Sequence, residues 1–126
     1  MAGLVAVKPN CSIQSYVSVL TALKAFEPTD VAVTSLQAIS GAGKTFETWP
    51  EMVDNVIPLI GGEEEKSEKE PMKIWGELSG GAVTLATTPG ITATCIRVPV
   101  SDGHMASVTV RFACTPSRED ILAAIA

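Results

Sequence analysis

A chain of 126 residues is long enough to form one domain, and its net charge of −5 argues against a nucleic-acid partner, which requires a clustered basic face. No run of 18 apolar residues is present, and the N-terminus lacks the basic region of a signal peptide, so nothing in the sequence predicts a membrane span or secretion. Only 5% of the residues are aromatic, which predicts an aliphatic core in a mixed α/β fold. The three cysteines have no metal-ligand spacing, which favours free thiols in a cytoplasmic protein.

The first part of the chain predicts a strand, a helix and a second strand. Residues 4–7 form a short apolar run. Asn10 is a good N-cap for a helix that we expect to continue to Phe26. A β-branched run at 31–37 predicts the next strand. This order predicts a crossover unit whose two strands are parallel.

Two helices are predicted in the middle of the chain. Pro50 suits the first position of a short helix over 50–56. A charged helix is expected over 63–78, and Pro71 within it predicts a kink or a split. Most of its charged side chains are expected in solvent, and its docking residues are expected to be Met72, Trp75 and Leu78.

The last part of the chain predicts antiparallel strands and a final helix. Segments 91–100 and 105–114 alternate as strands do, and an Asp-Gly turn at 102–103 predicts a hairpin that pairs Ser101 with His104. A shorter strand is expected at 83–87, and a helix capped by Ser117 is expected over 118–126.

Cys11 is the first candidate for chemistry. We expect it in the first turn of a helix, beside unpaired backbone N–H groups and the positive end of the helix dipole. Both features favour the thiolate, which is the nucleophilic form of cysteine. The alternative is that Cys11 is a small apolar residue of an ordinary core.

A glycine-rich loop at 40–45 resembles the end of a phosphate-binding loop. That motif requires glycine where this chain has Ala38, and no strong helix follows. A dinucleotide-binding fingerprint fails as well, because Phe46 occupies the position of its third glycine. We therefore do not expect this loop to bind a nucleotide.

Arg97 and His104 are expected on one face of the predicted hairpin, about 13 Å apart at ~3.3 Å per residue. Apolar neighbours surround Arg97, so its charge needs an anionic partner. That partner is either a small anionic substrate or an Asp or Glu of the same chain. By itself, His104 could equally be an ordinary surface residue of a turn.

Four motifs occur in one order over nearly the whole chain. They are Pro9-Asn10-Cys11-Ser12, Leu36-Gln37-Ala38-Ile39-Ser40-Gly41-Ala42-Gly43-Lys44, Asp54-Asn55-Val56-Ile57-Pro58 and Cys95-Ile96-Arg97-Val98-Pro99-Val100-Ser101-Asp102-Gly103-His104. Together they resemble the catalytic domain of aspartate-β-semialdehyde dehydrogenases, in the archaeal-type branch that also occurs in some bacteria and fungi. The resemblance implies an α+β fold, a mixed sheet with helices packed on one face, as in the C-terminal domain of glyceraldehyde-3-phosphate dehydrogenase.

The resemblance also implies roles for seven residues. Cys11 would attack aspartyl phosphate to form a thioester, with His104 as the general acid/base. Gln37 would orient the reacting carbonyl, and Arg97 would hold the substrate α-carboxylate. The remaining substrate-binding residues would be Asn10, Glu63 and Lys66.

The activity implied by the resemblance is the NADPH-dependent reduction of L-aspartyl-4-phosphate to L-aspartate-4-semialdehyde, which serves lysine, threonine and methionine biosynthesis. We expect residues 1–126 to be the catalytic and dimerisation domain, forming a homodimer or a higher homo-oligomer. The Rossmann domain that binds NADP in the family, and the family's segment after the last helix, are expected to be absent, so turnover by the chain alone would be incomplete. Two alternatives stay open, an N-acetyl-γ-glutamyl-phosphate reductase-like domain and a non-catalytic homodimerisation module.

Overall fold

The computed structural model describes residues 7–126, and a three-stranded sheet lies at its centre. The strand predicted at 4–7 falls outside the described residues, apart from Val7, which belongs to no regular element. The α-helices are α1 (Val17–Ala22), α2 (Glu63–Ile74) and α3 (Arg118–Ile125). The strands are β1 (Pro28–Gln37), β2 (Glu77–Ser79), β3 (Ala82–Thr84), β4 (Gly90–Arg97) and β5 (His104–Phe112). Short 3-10 helices occur at Ile13–Ser15, Leu23–Phe26, Ile39–Ala42 and Pro50–Met52.

The central sheet has the order β4-β1-β5, so the predicted hairpin between the last two long strands is wrong. β1 lies between them, parallel to β4 and antiparallel to β5. Ser101 therefore does not pair with His104. The connection between β4 and β5 crosses the end of β1 instead. It is held there by hydrogen bonds from the Ile39 N–H to the Val100 carbonyl and from the Ser40 N–H to the Ser101 carbonyl.

Helices cover one face of this sheet, as predicted. Alternate residues of β1, such as Val31 and Val33, are buried on the covered face together with Tyr16 and Trp75. Most residues of the opposite face are exposed. The half-buried residues there are Thr34, Leu36 and Ile96. The observed parallel pair is β1 and β4, which are joined through α2 in a strand-helix-strand unit.

The single helix predicted from Asn10 to Phe26 is wrong, because the segment divides into three short helical pieces. Tyr16 has φ −137° and ψ −24°, outside the helical region, and separates the first piece from α1. Polar side chains compete for the backbone here: the Asn10 side-chain oxygen accepts from the Ser12 N–H, and the Thr21 hydroxyl donates to the Val17 carbonyl. Cys11 consequently precedes the first helical piece and does not lie within a helical turn.

Pro71 does not split α2, which continues from Glu63 to Ile74. Proline has no N–H, so the carbonyl of Ser67, four residues earlier, lacks its usual helical partner. The Tyr16 hydroxyl donates to that carbonyl over 3.0 Å. This buried hydrogen bond satisfies the carbonyl and joins the segment that carries Cys11 to α2.

Two glutamates of α2 face the sheet, although most of its charged residues were expected in solvent. Glu64 accepts a hydrogen bond from the Cys95 N–H, and Glu68 accepts one from the Ala93 N–H. These carboxylates occupy backbone donors along the outer edge of β4, which would otherwise be open to pairing with another strand. The glutamates thereby fix α2 beside the sheet.

The remaining elements agree with the predictions only in part. The helix at Pro50 is a single 3-10 turn, and the predicted strand at 83–87 is reduced to β3. β3 pairs with the unpredicted β2 through a turn at Gly80 and Gly81, both with positive φ. Met72 and Trp75 pack on the core, but Leu78 is 78% exposed because it lies on β2. The capped C-terminal helix is confirmed as α3, with a reciprocal cap between Ser117 and Asp120.

Across residues 7–126, no helix combines the length and the apolar character needed to cross a membrane.

Candidate active site

Three side chains form one row at the end of the central strand. Gln37 ends β1, and its partners in the sheet are Arg97, which ends β4, and His104, which begins β5. Gln37 and Arg97 are buried on the helix-covered face, and His104 is half-buried. The prediction that Arg97 and His104 share one face is therefore confirmed. Their backbones are two strand spacings apart, about 10 Å, with β1 between them. The predicted separation along one hairpin is not observed.

Cys11 reaches this row from the opposite end of the sequence. Its Sγ lies 3.2 Å from Nε2 of His104, which is 93 positions further along the chain. Cys11 is exposed, so the interpretation as an ordinary core cysteine is wrong. Since no helical turn begins at Cys11, the imidazole ring, and not a helix dipole, is the polar group that contacts the sulfur.

Arg97 has no carboxylate partner within residues 7–126, so the alternative of an internal ion pair is not observed there. One guanidinium nitrogen, Nη1, donates to the carbonyl oxygen of Ala38 over 2.7 Å. The side chain is only 6% exposed. A buried guanidinium whose other donors face no carboxylate of the described chain can receive a small anion.

Glu63 connects the other predicted site residues. Its carboxylate accepts a hydrogen bond from the Asn10 side chain at 2.8 Å and lies 3.0 Å from the Lys66 ammonium. The Gln37 side-chain amide is 3.5 Å away. Partial burial by itself would raise the pKa of the Glu63 carboxyl, but the hydrogen bonds from Asn10 and Lys66 outweigh it and lower the pKa below its usual value. Glu63 is therefore ionised at neutral pH.

A cavity of about 420 Å³ lies between Cys11, Glu63 and Arg97. A second depression of similar volume lies on the other side of Cys11, beside His104. Both volumes are in the range of sites for small metabolites. The predicted residues that line the first cavity are Asn10, Cys11, Gln37, Glu63 and Arg97.

Two contributors to the site, Ala38 and Gly41, were not predicted from the sequence. Ala38 has no functional side chain, but its N–H and its carbonyl contact His104 and Arg97, respectively. A Cβ atom on Gly41 would lie 2.9 Å from Arg97 Nη1 and 3.0 Å from His104 Cε1, so a side chain there would displace both groups. The glycine-rich loop after β1 was a usable signal, because glycine often marks a close approach to the backbone.

These features define a class of site. A cysteine sulfur in hydrogen-bond contact with an imidazole is the pair used in covalent catalysis by cysteine. The buried guanidinium of Arg97 beside it fits an anionic compound. The chain belongs to the semialdehyde dehydrogenase family, since the model of its dimerisation domain matches residues 20–126.

Known proteins agree with this assignment. An aspartate-semialdehyde dehydrogenase from Cryptococcus neoformans is 47% identical over 120 residues, which cover 90% of this chain and 33% of that protein. One from Archaeoglobus fulgidus is 40% identical over 97% of this chain and 35% of its own length. The crystal structure of aspartate semialdehyde dehydrogenase with NADP from Candida albicans has a TM-score of 0.79 at 34% identity, over 97% of this chain and 35% of that chain. The present chain thus spans about a third of these relatives.

Proposed function

We propose that this chain provides the acyl-transfer site and the dimer interface of a cytoplasmic aspartate-semialdehyde dehydrogenase, which reduces L-aspartyl-4-phosphate to L-aspartate-4-semialdehyde for amino-acid biosynthesis. The observation that carries the proposal is the 3.2 Å contact between Cys11 Sγ and His104 Nε2. Relatives named for this activity favour aspartyl phosphate as the acyl compound.

In the proposed reaction, the Cys11 sulfur attacks the carbonyl carbon of the acyl phosphate. A carbon–sulfur bond forms, the carbon–oxygen bond to phosphate breaks, and inorganic phosphate leaves with the electron pair. His104, in contact with the sulfur, would act as the general acid/base at the reaction centre. Gln37, at the end of β1, would orient the carbonyl.

The substrate would lie between two groups of opposite charge. Arg97 offers donors for the α-carboxylate, and a bidentate contact there suits a planar guanidinium. Glu63, held ionised by Asn10 and Lys66, offers an acceptor for the α-amine. The Lys66 ammonium, which is half-exposed and paired with Glu63, would contact the departing phosphate. This arrangement discriminates an amino acid from a simple carboxylic acid.

NADPH would supply the hydride that reduces the thioester, and the Candida albicans structure contains NADP. The described residues do not themselves fit this cofactor. The glycine-rich loop at 40–45 leads into a turn at 46–48 and not into a helix whose N-terminus could receive a pyrophosphate. The steps that this chain carries out by its own residues are substrate binding and acyl transfer.

The proposed homodimer would form through the open face of the sheet. A face of this kind, free of covering helices on all three strands, is suited to pack against an identical face about a two-fold axis. The family is named for dimerisation, which agrees with this arrangement. The exposed residues of the face are mostly small and uncharged, including Ala32, Thr92, Thr94, Ser107 and Thr109.

Mass spectrometry of the intact chain after incubation with L-aspartyl-4-phosphate tests the acyl-transfer proposal. We expect one added aspartyl group on Cys11 and none in Cys11→Ala. Cys114→Ala is the matched control, because Cys114 is also a free, exposed cysteine, and it should acylate as the wild type does. Acylation spread over both cysteines, or none at all in a folded chain, would contradict the proposal and leave the non-catalytic module.

Light scattering after size-exclusion chromatography tests the dimer. Ala32→Glu places a charge in the middle of the open face and should give monomers at micromolar concentration. The control is Leu78→Glu, a change of an exposed apolar residue on β2 that lies outside the central sheet. A wild-type chain that is already monomeric would overturn the proposed dimer.

A further inference from the structure

The imidazole ring of His104 is held at both of its nitrogen atoms. Nε2 contacts Cys11 Sγ, and Nδ1 accepts a hydrogen bond from the Ala38 N–H over 3.2 Å. Ala38 is fully buried, with φ −65° and ψ 156°, an ordinary extended conformation that the end of β1 imposes on it. A backbone N–H in this position can only donate, because an amide nitrogen has no available lone pair.

We propose that the Ala38 N–H fixes the tautomer of His104, with the proton of the neutral ring on Nε2, so that the ring acts as a hydrogen-bond donor toward the reaction centre. A nitrogen that accepts a hydrogen bond carries no proton, and in neutral imidazole the other nitrogen then carries it. A proton on Nδ1 would oppose the proton of the Ala38 N–H. The backbone therefore disfavours the Nδ1–H tautomer.

This assignment determines what His104 can do for Cys11. With Nδ1 held by the Ala38 N–H and the proton on Nε2, the neutral ring faces the reaction centre as a hydrogen-bond donor and can serve there as a general acid. Its Nε2–H lies against the exposed sulfur of Cys11, over 3.2 Å. Insofar as the chain forms the proposed thioester, the same Nε2–H is then available to the negative charge that develops on the carbonyl oxygen.

Ala38 is thus a positioning residue for two groups at once. Its N–H orients His104, and its carbonyl accepts from Arg97 Nη1 at 2.7 Å. The ring and the guanidinium are therefore set by opposite ends of one buried residue. A shift of this residue would change the imidazole and the guanidinium together.

Nitrogen NMR of the chain tests the tautomer directly, because His104 is the only histidine and ¹⁵N-histidine labelling gives one pair of ring signals. At neutral pH we expect Nδ1 to have the shift of an unprotonated, pyridine-like nitrogen and Nε2 that of a protonated, pyrrole-like one. A protonated Nδ1, either as the other tautomer or as a doubly protonated ring, would overturn the proposal.

Two variants show which group fixes the tautomer. Cys11→Ala should leave the ring signals in the same tautomer, because Ala38 is unchanged. Replacement of Ala38 by its α-hydroxy acid turns the peptide into an ester and removes the N–H, and it should raise the share of the Nδ1–H form about tenfold, the effect of losing one hydrogen bond. The control is the same replacement at Ile39, whose N–H donates to the Val100 carbonyl and not to the ring.

If Cys11→Ala changes the tautomer and the Ala38 ester does not, the sulfur and not the backbone controls His104, and the proposal fails. None of these spectra requires substrate. A protonated Nδ1 in a chain that still acylates at Cys11 would refute the tautomer alone, whereas the expected spectrum without acylation would refute the proposed function alone.

Discussion

Two free, exposed cysteines lie near opposite ends of β5 and differ in their partners. Cys11 Sγ contacts the imidazole of His104, where β5 begins. Cys114 follows the other end of β5, and its S–H donates to the Phe26 carbonyl over 3.2 Å. A carbonyl can only accept a hydrogen bond from the S–H, whereas an imidazole ring can also donate one to the sulfur. Both cysteines are exposed to solvent, so any difference in their reactivity must come from their hydrogen-bond partners.

The sheet itself differs at its two ends in the same way. Near Cys114 the chain packs apolar side chains, and the rings of Phe26 and Phe112 meet edge to face with centroids 6.2 Å apart. Near Cys11 the strands end or begin with polar residues: Gln37 ends β1, Arg97 ends β4 and His104 begins β5. One end of the sheet is built for packing, and the other holds polar groups that need a ligand or one another.

Gly41→Ala should disturb the polar end of the sheet most strongly. The added Cβ would lie 2.9 Å from Arg97 Nη1 and 3.0 Å from His104 Cε1, so both side chains must shift from their present positions. We expect the rate of acylation at Cys11 to fall by up to about 100-fold, the cost of a displacement of about 1 Å in an active site. Gly61→Ala is the control, since a Cβ there meets nothing within 4 Å. Equal rates in the two variants would contradict the site geometry.

Labelling with a thiol reagent compares the cysteines directly. We expect Cys11 to react roughly tenfold faster than Cys114, the effect of one hydrogen bond, because the imidazole of His104 contacts the Cys11 sulfur whereas the S–H of Cys114 donates to the Phe26 carbonyl. Cys95 is an internal control: burial raises the pKa of its thiol, and it should react only when the chain unfolds. The measurement is peptide mass spectrometry over a time course. His104→Ala should bring Cys11 close to the rate of Cys114, and no change in that variant would remove the role given to the imidazole.

Arg97→Lys tests whether the polar end of the sheet is a site for an anion. Lysine keeps the charge but loses one of two parallel hydrogen bonds, so the affinity for an aspartyl analogue should fall about tenfold in calorimetry. Arg118→Lys is the control, because Arg118 is exposed at the start of α3. An unchanged affinity in Arg97→Lys would indicate that the anion binds elsewhere.

The sequence predicted the site better than the strand order. Periodicity located most elements, and the four motifs identified Cys11, Gln37, Arg97 and His104. The hairpin was mistaken because the Asp-Gly turn at 102–103 is a local signal, whereas the insertion of β1 between β4 and β5 depends on pairing over long distances in the sequence. The role of Ala38 could not be predicted, since it depends only on the backbone.

The smallest expected effect concerns the hydrogen bond from the Tyr16 hydroxyl to the Ser67 carbonyl, which anchors the Cys11 segment to α2. Tyr16→Phe should lower the free energy of unfolding by about 1 kcal/mol in urea titrations, because the Ser67 carbonyl is left without a partner. Burial raises the pKa of Tyr16 to about 12. Tyr16 is the only tyrosine, so an absorbance titration reports on it alone.

The pH dependence of stability follows from that raised pKa. Above pH 10, where an unfolded tyrosine loses its proton, the folded chain still holds the proton, so the free energy of unfolding should fall as the pH rises toward 12. Tyr16→Phe should lack this component. A Tyr16 titration near pH 10 in the folded chain would show that the hydroxyl is not buried against α2.

Pro71→Ala separates the hydrogen bond from the loss of a hydroxyl. Alanine at position 71 restores the N–H that the Ser67 carbonyl lacks in α2, so Tyr16→Phe should destabilise the Pro71→Ala chain less than it destabilises the wild type. Since the anchor lies on the Cys11 segment only, labelling of Cys114 should be the same in all four chains of this cycle. A penalty for Tyr16→Phe that is independent of residue 71 would mean that the Tyr16 hydroxyl does not act by replacing the missing proline N–H.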